Sequence, residues 1–229
     1  MKSFNNPALD PGSLVLITGV NGLVGSHVAN QVLEYGYKVR GTVRNAEQSK
    51  WIREYFDTKF GEGLFELVEV KEMEIECAFD KAMKGSLDVI RNQNTERLLT
   101  FSLGVSGVIH VASIVDFSPG TDRVVKTVVN GTVGILKSAD REGVQRFVLT
   151  SSANAVYISR PNNPVIITTE TWNEKAVELA FNLPKESNYY EQGLLAYSAS
   201  KVKGEQALWK WAEDNKSKMV VNSGKLTHL

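Results

Sequence analysis

Tyr197 and Lys201 carry the most specific chemistry in the chain. Four residues apart on a helix, their side chains share one face. A phenol titrates near pH ~10 and is a poor proton donor or base at neutrality. A neighbouring ammonium favours the phenolate and brings it into range for general acid–base work. A hydroxyl holding the same substrate oxygen would stabilise the negative charge that develops there. Ser151 and Ser152 offer two such hydroxyls at the end of the expected strand Arg146-Phe147-Val148-Leu149-Thr150. Phenol, ammonium and hydroxyl together suit delivery of a proton to a carbonyl oxygen as hydride reaches its carbon.

Hydride needs a carrier, and the N-terminal region supplies a candidate cradle. Leu14-Val15-Leu16-Ile17-Thr18 reads as a buried strand running into Gly19-Val20-Asn21-Gly22-Leu23-Val24-Gly25, a G-x-x-G-x-x-G turn that opens a helix. Gly19 permits a sharp turn, Gly22 lets backbone approach a ligand, and Gly25 lets helix and strand pack closely. The free N–H groups and positive dipole end of the helix suit a pyrophosphate.

The elements between these two sites alternate. Helix is expected over 26–35, strand over 38–44, helix over 46–60 and strand over 65–70. A short helix over 77–84, strands over 107–113 and 146–152, and a long helix over 124–141 follow. Residues 158–195, with Pro161, Pro164 and Pro184, read as an irregular substrate-side excursion before a helix over 197–215. Strand and helix at this rhythm imply βαβ units and a parallel sheet. Near-continuous apolar strands imply cover on both faces. The expected fold is therefore one α/β domain over 1–229, a Rossmann-type doubly wound sheet in the order 3-2-1-4-5-6. In such a sheet ligands bind outside the carboxyl ends of the strands, where Ala112, Ser113, Thr150, Ser151 and Ser152 fall. Trp51, Ile52, Tyr55 and Phe56 are expected in the core.

The end of the second strand bears on cofactor choice. An NAD site commonly places an Asp or Glu there for the adenosine ribose hydroxyls. Residues 37–46 contain no acid, but hold Arg40 and Arg44, with Lys50 a little later. A guanidinium binds a 2′-phosphate through charge-assisted hydrogen bonds, whereas a carboxylate would repel it. NADP(H) is the expected cofactor, contacted by Gly19, Asn21, Gly22, Leu23, Val24, Gly25, Arg44, Lys50, Ala112, Ser113, Thr150, Tyr197 and Lys201.

Lys plus Arg equals Asp plus Glu at 26 each, so net charge gives no case for nucleic acid or an anionic membrane. Cys77 is the sole cysteine, which excludes an intrachain disulfide and points to a reducing, cytoplasmic setting. His27, His110 and His228 lack ligand spacing, and no metal site is expected. No signal-peptide core or membrane span is expected.

These motifs, in this order, resemble the extended short-chain dehydrogenase/reductases. More narrowly, they resemble the fungal aldehyde/ketone reductases related to plant dihydroflavonol 4-reductases. The matching residues are Thr18-Gly19-x-x-Gly22-x-x-Gly25, Thr42-Val43-Arg44, His110-Val111-Ala112-Ser113, Val129-Asn130-Gly131-Thr132, Thr150-Ser151-Ser152 and Tyr197-x-x-x-Lys201. The resemblance implies that Ser152, with Ser151 as second choice, Tyr197 and Lys201 are catalytic. It also implies that Lys201 meets the nicotinamide ribose and that Asn130 supports the site. Phe117 is expected to line the substrate pocket, its alternative being core packing.

Two departures from the family stand out. Residues 86–103 are an atypical insertion, in which a helix from Asn94 to Phe101 is conceivable. The chain also ends just after its sixth strand begins at Met219-Val220-Val221-Asn222, so the C-terminal substrate lobe is expected to be largely missing. Gly224-Lys225-Leu226 can be encoded with a splice-donor-like GTAAGT, and Leu99–Leu103 with a branch-point-like motif, a pyrimidine run and a terminal AG. Retained introns would explain both departures, a genuine short isoform being the rival; spliced transcripts crossing both junctions test this.

The expected activity is NADPH-dependent reduction of a small-molecule aldehyde or ketone to an alcohol. Two alternatives stand beside it: a sugar-nucleotide epimerase, dehydratase or hydroxysteroid dehydrogenase of the same superfamily, and an inactive dinucleotide-binding protein. Neither the oligomeric state nor the particular carbonyl substrate can be read from the sequence.

Overall fold

In this computed structural model the described residues are 2, 5–85, 104–115, 117, 119–158, 162, 164–183 and 187–227. Six strands form one sheet: β1 (Leu14–Thr18), β2 (Lys38–Val43), β3 (Phe65–Glu69), β4 (Gly107–His110), β5 (Arg146–Ser152) and β6 (Val220–Leu226). Every pairing is parallel, and the order is β3-β2-β1-β4-β5-β6, as the alternation implied. The helices are α1 (Leu23–Glu34), α2 (Lys50–Phe60), α3 (Asp80–Met83), α4 (Thr121–Arg141), α5 (Glu174–Phe181) and α6 (Tyr189–Asn215).

β1 shows why its run Leu14–Ile17 is apolar throughout. Val15 and Ile17 face Ala29 and Leu33 of α1 and Ile52 and Phe56 of α2. Leu14 and Leu16 face the opposite layer, where Ile135 and Leu136 of α4 meet Leu208 and Trp211 of α6. Alternate residues of one strand thus enter two separate cores.

Several elements differ from expectation. On α2, Ile52 and Phe56 are buried while Trp51 and Tyr55 are exposed, because each pair is spaced by four and the two pairs occupy neighbouring faces. The stretch 158–195 is not irregular throughout, since it contains α5 and the first two turns of α6. Asn188 starts α6 early: its side chain accepts from Glu191 N–H while the Glu191 carboxylate accepts from Asn188 N–H. This capping box fixes the helix start eight residues before Tyr197. Asn173 caps α5 by accepting from Ala176 N–H through its side-chain oxygen, and it also donates to Asn154 O at 3.0 Å, fastening the excursion to the end of β5. The sixth strand runs on past Asn222, with Ser223, Gly224, Lys225 and Leu226 registered against Leu149, Thr150, Ser151 and Ser152. The insertion 86–103 and the helix conceived there lie outside the described residues. No helix among the described residues is long and apolar enough to cross a membrane.

Candidate active site

The glycine turn follows from one close approach. Gly19 has φ +65, and a Cβ on Gly25 would lie 2.2 Å from Gly19 O. The backbones of turn and helix therefore touch with no room for a side chain. Gly22 is the N-cap of α1, which has no side-chain cap and no acidic residue in its first turn. The N–H groups of that turn have no helical acceptor and point out of the fold with the positive dipole end. Asn21 Nδ2 donates to Ser49 Oγ at 3.2 Å, tying the turn to the N-cap of α2. Ser113 Oγ, three residues past the end of β4, is buried with no hydrogen-bond partner. A tight cradle of unpaired donors beside an orphan hydroxyl fits a dinucleotide.

Thr18 sets the depth of the floor. Its Oγ1 accepts from Val111 N–H and Ala112 N–H, both at 2.9 Å, and lies 2.8 Å from His110 Nδ1. With both lone pairs used, the hydroxyl must donate to Nδ1, so the proton of neutral His110 sits on Nε2. Burial, and then the charge of Lys201, pushes His110 down to about 3. His110 is therefore a neutral part of the floor.

The arginines divide. Arg40 is 2% exposed; it pairs with Glu66 at 2.6 Å and donates to Ala82 O at 2.7 Å. It is neither a solvated edge charge nor a phosphate ligand, but a tie between β2, β3 and α3. Arg44 is exposed just past the end of β2, where an adenosine 2′-phosphate would call for a cation. Lys50 is exposed on α2 and pairs with Glu47. The register also brings Glu69 of β3 opposite Val43. A scan of 37–46 for acids misses this carboxylate, which accepts from Ala46 N–H at 3.1 Å and pairs with Lys71 at 3.4 Å.

The two serines separate as well. Ser151 Oγ donates to Glu205 Oε2 at 2.6 Å. Ser152 Oγ accepts from Asn154 N–H at 3.2 Å, which leaves its own hydrogen for a substrate oxygen. Tyr197 is half-buried, and Lys201 lies one turn further along α6 with Nζ 5.7 Å from the phenol ring centroid. Lys201 is 8% exposed and donates to Thr150 O at 3.3 Å. Burial lowers it to about 8, against the raising effect of the Glu205 charge. Phe117 packs on Tyr197 with ring centroids 5.2 Å apart. It has φ +47, and its carbonyl would lie 1.6 Å from a Cβ on Gly193 of α6. Asn130 is exposed, on the opposite side of α4 from Val128 and Thr132, which line the site. The structure does not bring it to the chemistry.

Sequence reasoning missed Glu205. It is 1% exposed on α6, accepts from Ser151, and pairs with Lys225 of β6 at 2.9 Å. Its spacing of four from Lys201 was the available signal. Among the described residues, no group of three or more His, Cys, Asp or Glu side chains is placed to hold a metal ion.

A parallel 3-2-1-4-5-6 sheet with a glycine turn at the end of β1 defines a Rossmann-type α/β protein. The chain matches the NAD dependent epimerase/dehydratase family over residues 15–227 and belongs to it. It is 36% identical over 225 residues to aldehyde reductase 2 of Sporidiobolus salmonicolor, covering 97% of this chain and 59% of that protein. It is 33% identical over 242 residues to ketoreductase adrE of Penicillium rubens, covering 100% of this chain and 62% of that protein. Among solved structures it is similar to yeast methylglyoxal/isovaleraldehyde reductase Gre2 complexed with NADPH. That match has a TM-score of 0.70 at 26% identity, over 93% of this chain and 57% of Gre2. The chain thus spans about three-fifths of the length of these relatives.

Proposed function

We propose that this chain carries the cofactor-binding and proton-transfer half of an NADP(H)-dependent carbonyl reductase, which reduces an aldehyde or ketone to an alcohol. One observation carries the reading. Tyr197 and Lys201 share a face of α6 beside the end of β5, with Lys201 buried and fixed to Thr150 O. The named relatives, an aldehyde reductase, a ketoreductase and an NADPH-complexed aldehyde reductase, support the same class.

Bound NADPH supplies hydride to the carbonyl carbon. The turn of Gly19, Asn21, Gly22, Leu23, Val24 and Gly25 would hold its pyrophosphate, and Arg44 its 2′-phosphate, with Lys50 nearby. Ala112, Ser113 and Thr150 would line its path toward Tyr197 and Lys201. The Ser152 hydroxyl donates to the carbonyl oxygen and orients it. Tyr197 gives that oxygen a proton, and the Lys201 ammonium stabilises the phenolate left behind. Phe117, stacked on Tyr197, forms an aromatic wall for the carbonyl compound. A reducing, cytoplasmic setting accords with the single exposed cysteine.

The test is NADPH titration of the chain, followed by loss of nicotinamide absorbance with a panel of aldehydes and ketones. Turnover that Tyr197→Phe abolishes, with NADPH binding kept, is the expected result. Tight binding without turnover would favour a binding protein instead. Preference for NAD with interconversion of a sugar nucleotide would favour the epimerase reading.

A further inference from the structure

Lys201 and Glu205 lie one turn apart on α6, and each takes hold of one of two consecutive residues of β5. Lys201 Nζ donates to Thr150 O at 3.3 Å; Glu205 Oε2 accepts from Ser151 Oγ at 2.6 Å. The other carboxylate oxygen, Oε1, accepts from Lys225 Nζ at 2.9 Å and from Trp209 Nε1 at 3.4 Å. One buried carboxylate thus joins α6, β5 and β6, next to the residue that presents Ser152. Lys225 reaches it past the Trp172 ring, whose centroid lies 5.3 Å from Nζ.

Resting on the reading of Tyr197 and Lys201 given above, we propose that Glu205 is a positioning residue of the site. Its carboxylate is the counter-charge that keeps the buried Lys201 an ammonium beneath Tyr197, and its bond to Ser151 fixes the strand end that carries Ser152. Helical neighbours at this spacing have Cβ atoms about 5–6 Å apart, close enough for strong coupling away from solvent. The alternative is a purely structural clasp, in which the charge of Glu205 is balanced by Lys225 alone.

Electrostatics agree with the geometry. Burial pushes the Glu205 carboxyl up, but hydrogen bonds from Ser151 and Lys225 outweigh it and keep the group below the usual carboxylate range. It is therefore an anion wherever the fold is intact at neutral pH. The charged and titratable groups facing Lys201 are Tyr197 and Glu205 on α6, His110 on β4 and, through Glu205, Lys225 on β6. From α4 the site receives Val128 and Thr132, which carry no charge. Glu205 is thus the one anion of this set near neutrality, His110 being neutral there.

The experiment follows the Lys201 side chain itself, by the pH titration of its Cε and Nζ nuclear magnetic resonances in the full chain without cofactor. Glu205→Gln keeps the volume and an acceptor oxygen but removes the charge. Its Lys201 midpoint should fall by about 1 pH unit or more, the effect of losing a nearby opposite charge. Ser151→Ala, which removes a clasp bond and keeps the charge, should leave the midpoint where it is. Lys225→Met removes a partly exposed like charge and should move the midpoint upward, and it keeps the test available if Glu205→Gln does not fold. A Lys201 midpoint unmoved in folded Glu205→Gln, or in Lys225→Met where that variant alone folds, would overturn the proposal. Because no turnover is measured, a failure of the reductase reading would leave this result standing.

Discussion

Removing Lys201 should make the protein more stable at neutral pH and less so, relative to wild type, at alkaline pH. Burial holds this lysine at about 8 in the fold against an ordinary 10.5. Below about pH 8 both folded and unfolded chains carry the proton, and the fold bears the full cost of a buried ammonium. That cost is about 3 kcal/mol at ~1.36 kcal/mol for each unit of depression. Lys201→Met removes it and loses the bond to Thr150 O, which contributes about 1 kcal/mol, so a net gain of about 2 kcal/mol is expected at pH 7. Between the two midpoints the unfolded chain binds the extra proton, so wild-type stability rises with pH. From pH 7 to 9.5 this group alone adds about 2 kcal/mol to wild type and nothing to the variant. The two proteins should therefore approach equal stability near pH 9.5. Urea unfolding at both pH values, with equal m-values, measures the difference, and groups common to both proteins cancel in it. His110 and Glu205 titrate below this window. A stability difference that stays constant from pH 7 to 9.5 would refute the depressed lysine and the buried-ammonium argument with it.

Three further outcomes are expected. Gly25→Ala places a methyl group 2.2 Å from Gly19 O, so the turn must open; stability should fall by about 1–3 kcal/mol and NADPH affinity with it, by denaturation and fluorescence titration. Arg44→Ala should weaken NADPH binding about tenfold to a hundredfold, as loss of a charged hydrogen bond implies, and leave NADH binding unchanged; equal losses for both cofactors would remove Arg44 from the 2′-phosphate. Gly193→Ala collides with the Phe117 carbonyl and should displace that ring from Tyr197, raising KM for carbonyl compounds. Phe117→Ala should reproduce the KM change at a smaller stability cost, and an unchanged KM in both would make Phe117 plain packing.

The strand order and the glycine turn were legible because their causes are local. Leu14 to Ile17 are apolar at every position since both faces of β1 are covered, and that pattern is written in consecutive residues. Tyr197 and Lys201 were legible for the same reason, as partners within one helix. The start of α6 was also written locally, in the Asn188–Glu191 capping box, but prolines and polar residues nearby suggested loop instead. Arg40 and Glu205 were not legible as buried groups. In sequence each is an ordinary charge, Arg40 on a strand edge and Glu205 on a helix. Only the register of β2 with β3, and the docking of α6 on β5 and β6, supplies the partners that make burial tolerable.

The same distinction governs cofactor choice. Acids beside an adenosine ribose commonly come from the end of β2. Parallel pairing sets Glu69 of β3 against Val43, so a carboxylate reaches that region from sequence 26 positions away. This carboxylate accepts from Ala46 N–H and pairs with Lys71, whose positive charge offsets its own. Both contacts lower the Glu69 carboxyl, the Ala46 N–H the more, so the group is an anion that is already hydrogen-bonded. Arg44 is left as the exposed cation at the strand end. NADP(H) is therefore favoured by the exposed Arg44 and by the Lys71 charge that offsets Glu69, more than by the absence of an acid from residues 37–46.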